Sequence, residues 1–185
     1  MDAVDVHAGT AQVLGFWFGL SQEEQFAKSA DLDRQIGERF GTLRDLVLAD
    51  GAKGWHADRD TMLAAIILLD QFSRNLHRGS AEAFAADPLA LVLALETIER
   101  GWDLEGPPEQ RQFLYMPLMH SEDAAMQALS VEKFEALGNP LNLRFARDHA
   151  DVIERFGRYP SRNAALGRES SAEELDYLSQ PDAGW

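Results

Sequence analysis

Residues 62–79 read MLAAIILLDQFSRNLHRG, and this stretch sets the fold. Met62 to Leu69 is an unbroken apolar run. Asp70, Gln71, Arg74, Asn75 and Arg78 follow it at once. A helix that is apolar on every side is a buried helix. When the last turns of such a helix become ionic, the charges need partners, because an unpaired buried charge is costly. The stretch therefore predicts a buried central helix over about 59–75, capped by Asp58, with the rest of the chain packed around it.

Outward from that rod the signals are helical. Leu32, Ile36, Phe40, Leu43 and Val47 recur at three- and four-residue spacing, one face of a helix over Ala30–Ala49. Thr10–Phe18 reads as a shorter helix closed by Gly19. Ser21 with Glu24, and Ser171 with Glu174, are capping boxes. Asp87-Pro88 predicts an N-cap and a first helical position. Pro117 is expected to kink or end the helix opened near Glu109. Ser121 is predicted to cap a helix to Leu137. Leu141, Phe145, Val152, Ile153 and Phe156 are predicted as the inner face of a last long helix.

No segment alternates with period two, so no sheet is predicted. Short connections favour antiparallel neighbours. The expectation is one all-α domain over residues 1–185.

Net charge is −14, which disfavours nucleic acid and anionic membrane as main partners. Two local exceptions stand out. Residues 71–81 hold Arg74 and Arg78, and residues 155–168 hold Arg155, Arg158, Arg162 and Arg168, both without an acid. There is no cysteine, which excludes disulfides and thiolate metal sites and fits a reducing compartment. The first twelve residues carry no Lys or Arg, unlike a secretory signal, and no apolar run reaches membrane-spanning length. A cytoplasmic location is expected.

Asp70, Arg74 and Arg78 are spaced by four and form one stripe, with Asp70–Arg74 in the favourable orientation for an ion pair. The stripe reads either as a structural pair at a helix end or as an anion clamp in which Asp70 orients Arg74. The arginines of the tail read likewise. They tie it to acids, with Asp70, Glu122 and Asp123 as candidates, or they complete a pocket. The tail repeats Ser-Arg-Asn, at 73–75 and 161–163. His120 and His149 sit in apolar surroundings and, with Asp70, Glu122 and Asp123, have the residue types of an acid–base pair or metal site. No established metal spacing, GxSxG, phosphate loop or dinucleotide glycine pattern is present. Trp17, between Phe16 and Phe18, reads first as core.

Several stretches carry a resemblance to a known family. They are VLGFWF at 13–18, LDQFSRN at 69–75, FAADPLA at 84–90, FLYMPLMHSED at 113–123, and RFGRYPSRN at 155–163 followed by LGRES at 166–170. In these the chain resembles a widespread, mainly bacterial family, domain of unknown function 924. The resemblance implies a tetratricopeptide-like all-helical fold and no established activity. The chain departs from the family pattern at Ser161, where members commonly carry His, so no imidazole is implied in the tail here.

The expected architecture is thus a tetratricopeptide-like array of antiparallel helical hairpins around the central helix. The expected function is binding of a small anionic ligand or an acidic peptide end. The pocket would lie between the central-helix end, the 120–123 segment and the tail. Arg74, Arg78, Arg158, Arg162 and Arg168 would hold charge, Asp70, Asn75 and Asn163 would orient, and His120 and Trp17 would line it. No cofactor or metal is expected. Alternatives are a metal-dependent or acid–base hydrolase and a scaffold for a protein partner. Arg74→Ala is expected to abolish binding at modest cost in stability.

Overall fold

The computed structural model describes residues 5–181, 183 and 184, and every regular element among them is helical. The central rod starts at Asp58, whose carboxylate accepts the Thr61 N–H at 2.9 Å while the Asp58 N–H donates to the Thr61 hydroxyl at 3.1 Å. From there α4 (Arg59–Ile66) passes through six residues of π-helix, Ile67–Phe72, into a last α-helical turn, α5 (Ser73–Leu76). Every residue from Thr61 to Ser73 is buried. Periodicity predicts a plain α-helix here. The π segment is the difference, and its wider turn carries Asp70 and Gln71.

Before the rod come α1 (Val6–Trp17), α2 (Gln22–Phe26) and α3 (Ala30–Asp50). After it come α6 (Asp87–Glu99), α7 (Pro108–Met119), α8 (Ala124–Leu137), α9 (Pro140–Phe156) and α10 (Ala172–Leu178). Both capping boxes form as predicted, at Ser21 and Ser171. α3 ends at Gly51 in the left-handed conformation, φ +70°.

The chain gathers into two compact units. Unit 1 is residues 1–78 with 82–117, and unit 2 is residues 79–81 with 118–185. Unit 1 has a large aromatic and aliphatic core. Trp17, fully buried, meets Phe72 edge-on at 5.4 Å and Phe113 at 5.6 Å, and Phe40 packs on Phe72 at 5.1 Å. Each such buried side chain contributes about 1.5–3 kcal/mol. Unit 2 is built on the α8–α9 hairpin, turned by Gly138 (φ +79°) and capped by Asn139, whose side chain accepts the Leu141 and Asn142 N–H groups. Val152, Ile153 and Tyr159 are buried there with Phe156 and Tyr177 against them.

Several local expectations are corrected. α6 takes Ala86 as its N-cap and Asp87 as its first helical residue, with the Asp87 carboxylate held by Arg74. Asp123, not Ser121, caps α8; its side chain accepts the Ala125 and Met126 N–H groups. α7 runs through Pro117 to Met119, which is the end expected for that segment. α1 starts at Val6, where Asp5 caps it, and ends through Phe18 in an ordinary helical conformation rather than at a left-handed Gly19. α9 is turned relative to the expected face. Leu141 and Phe145 are exposed, whereas Asn142, Ala146 and His149 are buried with Val152 and Ile153.

Candidate functional site

In unit 1 the polar end of the rod is an ion-pair cluster. Arg74 donates from both terminal nitrogens to the Asp87 carboxylate, at 2.9 and 3.0 Å. Its Nη1 also donates to the Asp70 carbonyl at 2.7 Å and lies 3.3 Å from the Asp70 carboxylate. Asp70 is 1% exposed. The Gln71 amide donates to it at 2.5 Å and reaches Met116 Sδ at 3.3 Å. One turn on, Asn75 and Arg78 share Asp33. Asn75 donates at 2.7 Å, and Arg78 Nε and Nη2 donate at 2.6 and 2.9 Å. Burial opposes the charge on Asp33, but Arg78 and Asn75 outweigh it and hold the carboxyl below its usual range.

In unit 2 the chemistry centres on the carbonyls left open where α7 ends. The Gln127 amide donates to the Met119 and Ser121 carbonyls at 2.8 and 2.6 Å. The Tyr159 hydroxyl donates to Met119 O at 2.5 Å and accepts from Gln127 at 2.8 Å. Arg162 donates to His120 O at 2.9 Å while its guanidinium lies 4.5 Å from the Tyr159 ring centre. Beside them the His120 and His149 rings are 6.2 Å apart, and His149 meets the Tyr159 ring edge-on at 5.6 Å. His149 Nδ1 is 2.7 Å from the Phe145 carbonyl, so Nδ1 carries the proton.

Glu122 joins this segment to the tail. It accepts the Tyr159 N–H at 2.8 Å and both terminal nitrogens of Arg168 at 2.8 and 2.9 Å. Burial works against its charge, but Arg168 and the Tyr159 N–H prevail and its carboxyl lies below the usual range. Arg158 clasps Glu174 at 2.7 and 2.9 Å. With the Ser171 N–H it holds the Glu174 carboxyl down to about 2. Asn163 donates to Ser170 Oγ at 3.0 Å and to Glu174 at 3.4 Å.

The residues singled out in the sequence are thus gathered in two sets, each within its own unit. Trp17 belongs to the aromatic core of unit 1, where Asp70 and Arg74 meet and Asn75 and Arg78 converge on Asp33. In unit 2 His120 and Arg162 meet, Arg158 and Asn163 converge on Glu174, and Arg168 holds Glu122. Of the acids named as ties for the tail, Glu122 serves. Glu174 is the one that sequence reasoning missed.

Arg44 was missed as well. It is 3% exposed, with Nε donating to Ser73 Oγ at 2.9 Å and Nη1 to Asp45. The signal existed, because an arginine four after Phe40 and three before Val47 stands on the buried stripe of α3. Gln127 carried no such signal. Among the described residues no group of three or more His, Asp or Glu is placed to hold a metal ion, and no helix is long and apolar enough to cross a membrane.

Fold and site together define an all-α protein with an ion-pair cluster in each of its two units. Residues 13–182 match the sequence model of a family described as bacterial protein of unknown function (DUF924), and the chain belongs to that family. It is also similar to a solved structure, a protein of unknown function from Agrobacterium tumefaciens. The two share 38% identity and a TM-score of 0.91, over 96% of this chain and 100% of the other. No curated protein matches.

Proposed function

We propose that this is a helical binding domain that takes a small anion, a carboxylate or the acidic end of a peptide, in unit 2 beside His120, Tyr159 and Arg162. The observation that carries the reading is the gathering of the Arg162 guanidinium and the His149 imidazole at the Tyr159 ring, with the His120 ring 6.2 Å from that of His149. Such a set favours an anion. Buried polar atoms in the same unit support it. Gln127 Oε1, Asn163 Oδ1 and Arg168 Nε are buried without a hydrogen-bond partner among the described residues. The reading does not draw on Arg74, Arg78, Asp70, Asn75 and Trp17, which lie in unit 1.

The test is calorimetric titration with citrate, succinate, glutamate and inorganic phosphate. The expected result is saturable binding of at least one carboxylate that Arg162→Ala abolishes with the fold retained. No binding by the wild-type chain, or equal binding by the variant, overturns the reading.

A second reading, acid–base hydrolysis, is favoured by the fixed tautomer of His149, which makes Nε2 its basic nitrogen. His149→Gln would then remove a pH-dependent esterase or phosphoesterase activity. As part of the same proposal, the α8–α9 hairpin is the unit of a tetratricopeptide-like arrangement, and the cysteine-free composition supports a cytoplasmic location.

A further inference from the structure

The buried polar atoms of unit 2 that lack a hydrogen-bond partner among the described residues are Gln127 Oε1, Ser130 Oγ, Asn163 Oδ1 and Arg168 Nε. Their kinds are unequal. Both amide oxygens only accept, the guanidinium N–H only donates, and the hydroxyl does either. A bare anion brings acceptors alone. It would answer the arginine and leave both amide oxygens unmet.

Gln127 is bonded to the tyrosine of the proposed site. Its Nε2 donates to the Met119 and Ser121 carbonyls at 2.8 and 2.6 Å and to the Tyr159 hydroxyl at 2.8 Å. Carbonyls only accept, so they fix which end of the amide is NH2, and Oε1 is turned away from them. Gln127 is 2% exposed, and an acceptor buried there without a donor is costly. Asn163, next to Arg162 in the chain, is set in the same way. Its Nδ2 donates to Ser170 Oγ and to the Glu174 carboxylate, which leaves Oδ1 as the unmet end.

Given the anion site proposed in unit 2, on which this rests, we propose that its ligand is an acid with an N–H beside its carboxylate: an α-amino acid or the C-terminal residue of a peptide. Half-buried Arg162 takes the carboxylate, and the N–H donates inward to Gln127 Oε1. Tyr159 ties the two together. Its ring centre is 4.5 Å from the Arg162 guanidinium, and its hydroxyl accepts from Gln127. Both groups are thus fixed to one aromatic side chain, within the span of a small molecule.

Calorimetric titration of the full chain with matched acids tests the ligand class. Aspartate differs from succinate, and glutamate from glutarate, only in the amino group. The amino acid of a pair is expected to bind about tenfold or more tighter, because a charged donor meets a buried acceptor. N,N,N-trimethylaspartate keeps the positive charge without an N–H and should bind no better than succinate. N-acetylaspartate separates the two sources: binding at least as tight as aspartate marks a peptide end, and weaker binding marks a free amino acid. Gln127→Met should erase the preference within each pair; should that variant not fold, the wild-type series decides alone. Equal binding within both pairs overturns this ligand class and leaves the carboxylate reading standing. Trimethylaspartate binding like aspartate overturns it too, as does a folded Gln127→Met chain that keeps the preference. No binding by any of these acids overturns both readings.

Discussion

The two units keep polar groups inside in different ways. In unit 1 an apolar rod carries the Asp70 carboxylate into the core, and Arg74 answers it together with Asp87. In unit 2 the groups that need partners are backbone carbonyls at the end of α7, and Gln127, Tyr159 and Arg162 answer them. The difference follows from core size. The apolar mass of unit 1 can bury a charge that is paired, and an unpaired one there is severely penalised. The tail of unit 2 has a small apolar cluster and is held mainly by hydrogen bonds and half-buried ion pairs, each modest and each closer to water. A unit held that way has the adaptable surface that ligand binding needs.

That contrast can be broken by measurement. The largest effect belongs to Arg74→Ala, which removes the guanidinium shared by the Asp70 and Asp87 carboxylates and should cost about 3–5 kcal/mol in chemical denaturation. This is more than the modest loss that the sequence alone suggests. A loss below about 1 kcal/mol would remove the distinction between the units. Tyr159→Phe comes next. It removes the hydroxyl shared by Met119 O and Gln127 and should cost about 1–3 kcal/mol.

Acid should act on unit 2 through Glu174 and Glu122. Both carboxyls titrate lower when folded, so the unfolded chain takes up protons first. Stability from Glu174 is therefore complete above its ordinary value of 4.5 and declines as pH falls towards about 2. Denaturation at a series of pH values should show that decline, and Glu174→Gln should flatten it. The smallest effect is Ser171→Ala, which removes the N-cap of α10 and should cost about 1 kcal/mol, read as a small drop in melting temperature.

Local rules read much of this molecule correctly from the sequence. The helical class, the buried rod from its apolar run, the caps at Asp58, Ser21 and Ser171 and the stop at Gly51 depend on neighbours a few residues away. Where a nearby group had a stronger claim from afar, those rules failed. Asp87 has the sequence of a cap but is the first residue of α6, and its carboxylate takes a two-pronged ion pair from Arg74. Leu141 and Phe145 look like an inner face, yet α9 buries Asn142, Ala146 and His149 instead.

The sequence by itself determined that a greasy helix ends in charges and that an arginine-bearing tail exists to be tied down, because composition and periodicity are local properties. Only the tertiary structure decided which acid meets which arginine and that the open carbonyls of α7 are met by Gln127, Tyr159 and Arg162. It also placed a π turn at Asp70. Partner choice between residues on different helices depends on how those helices pack, and many pairings satisfy the same pattern of charges.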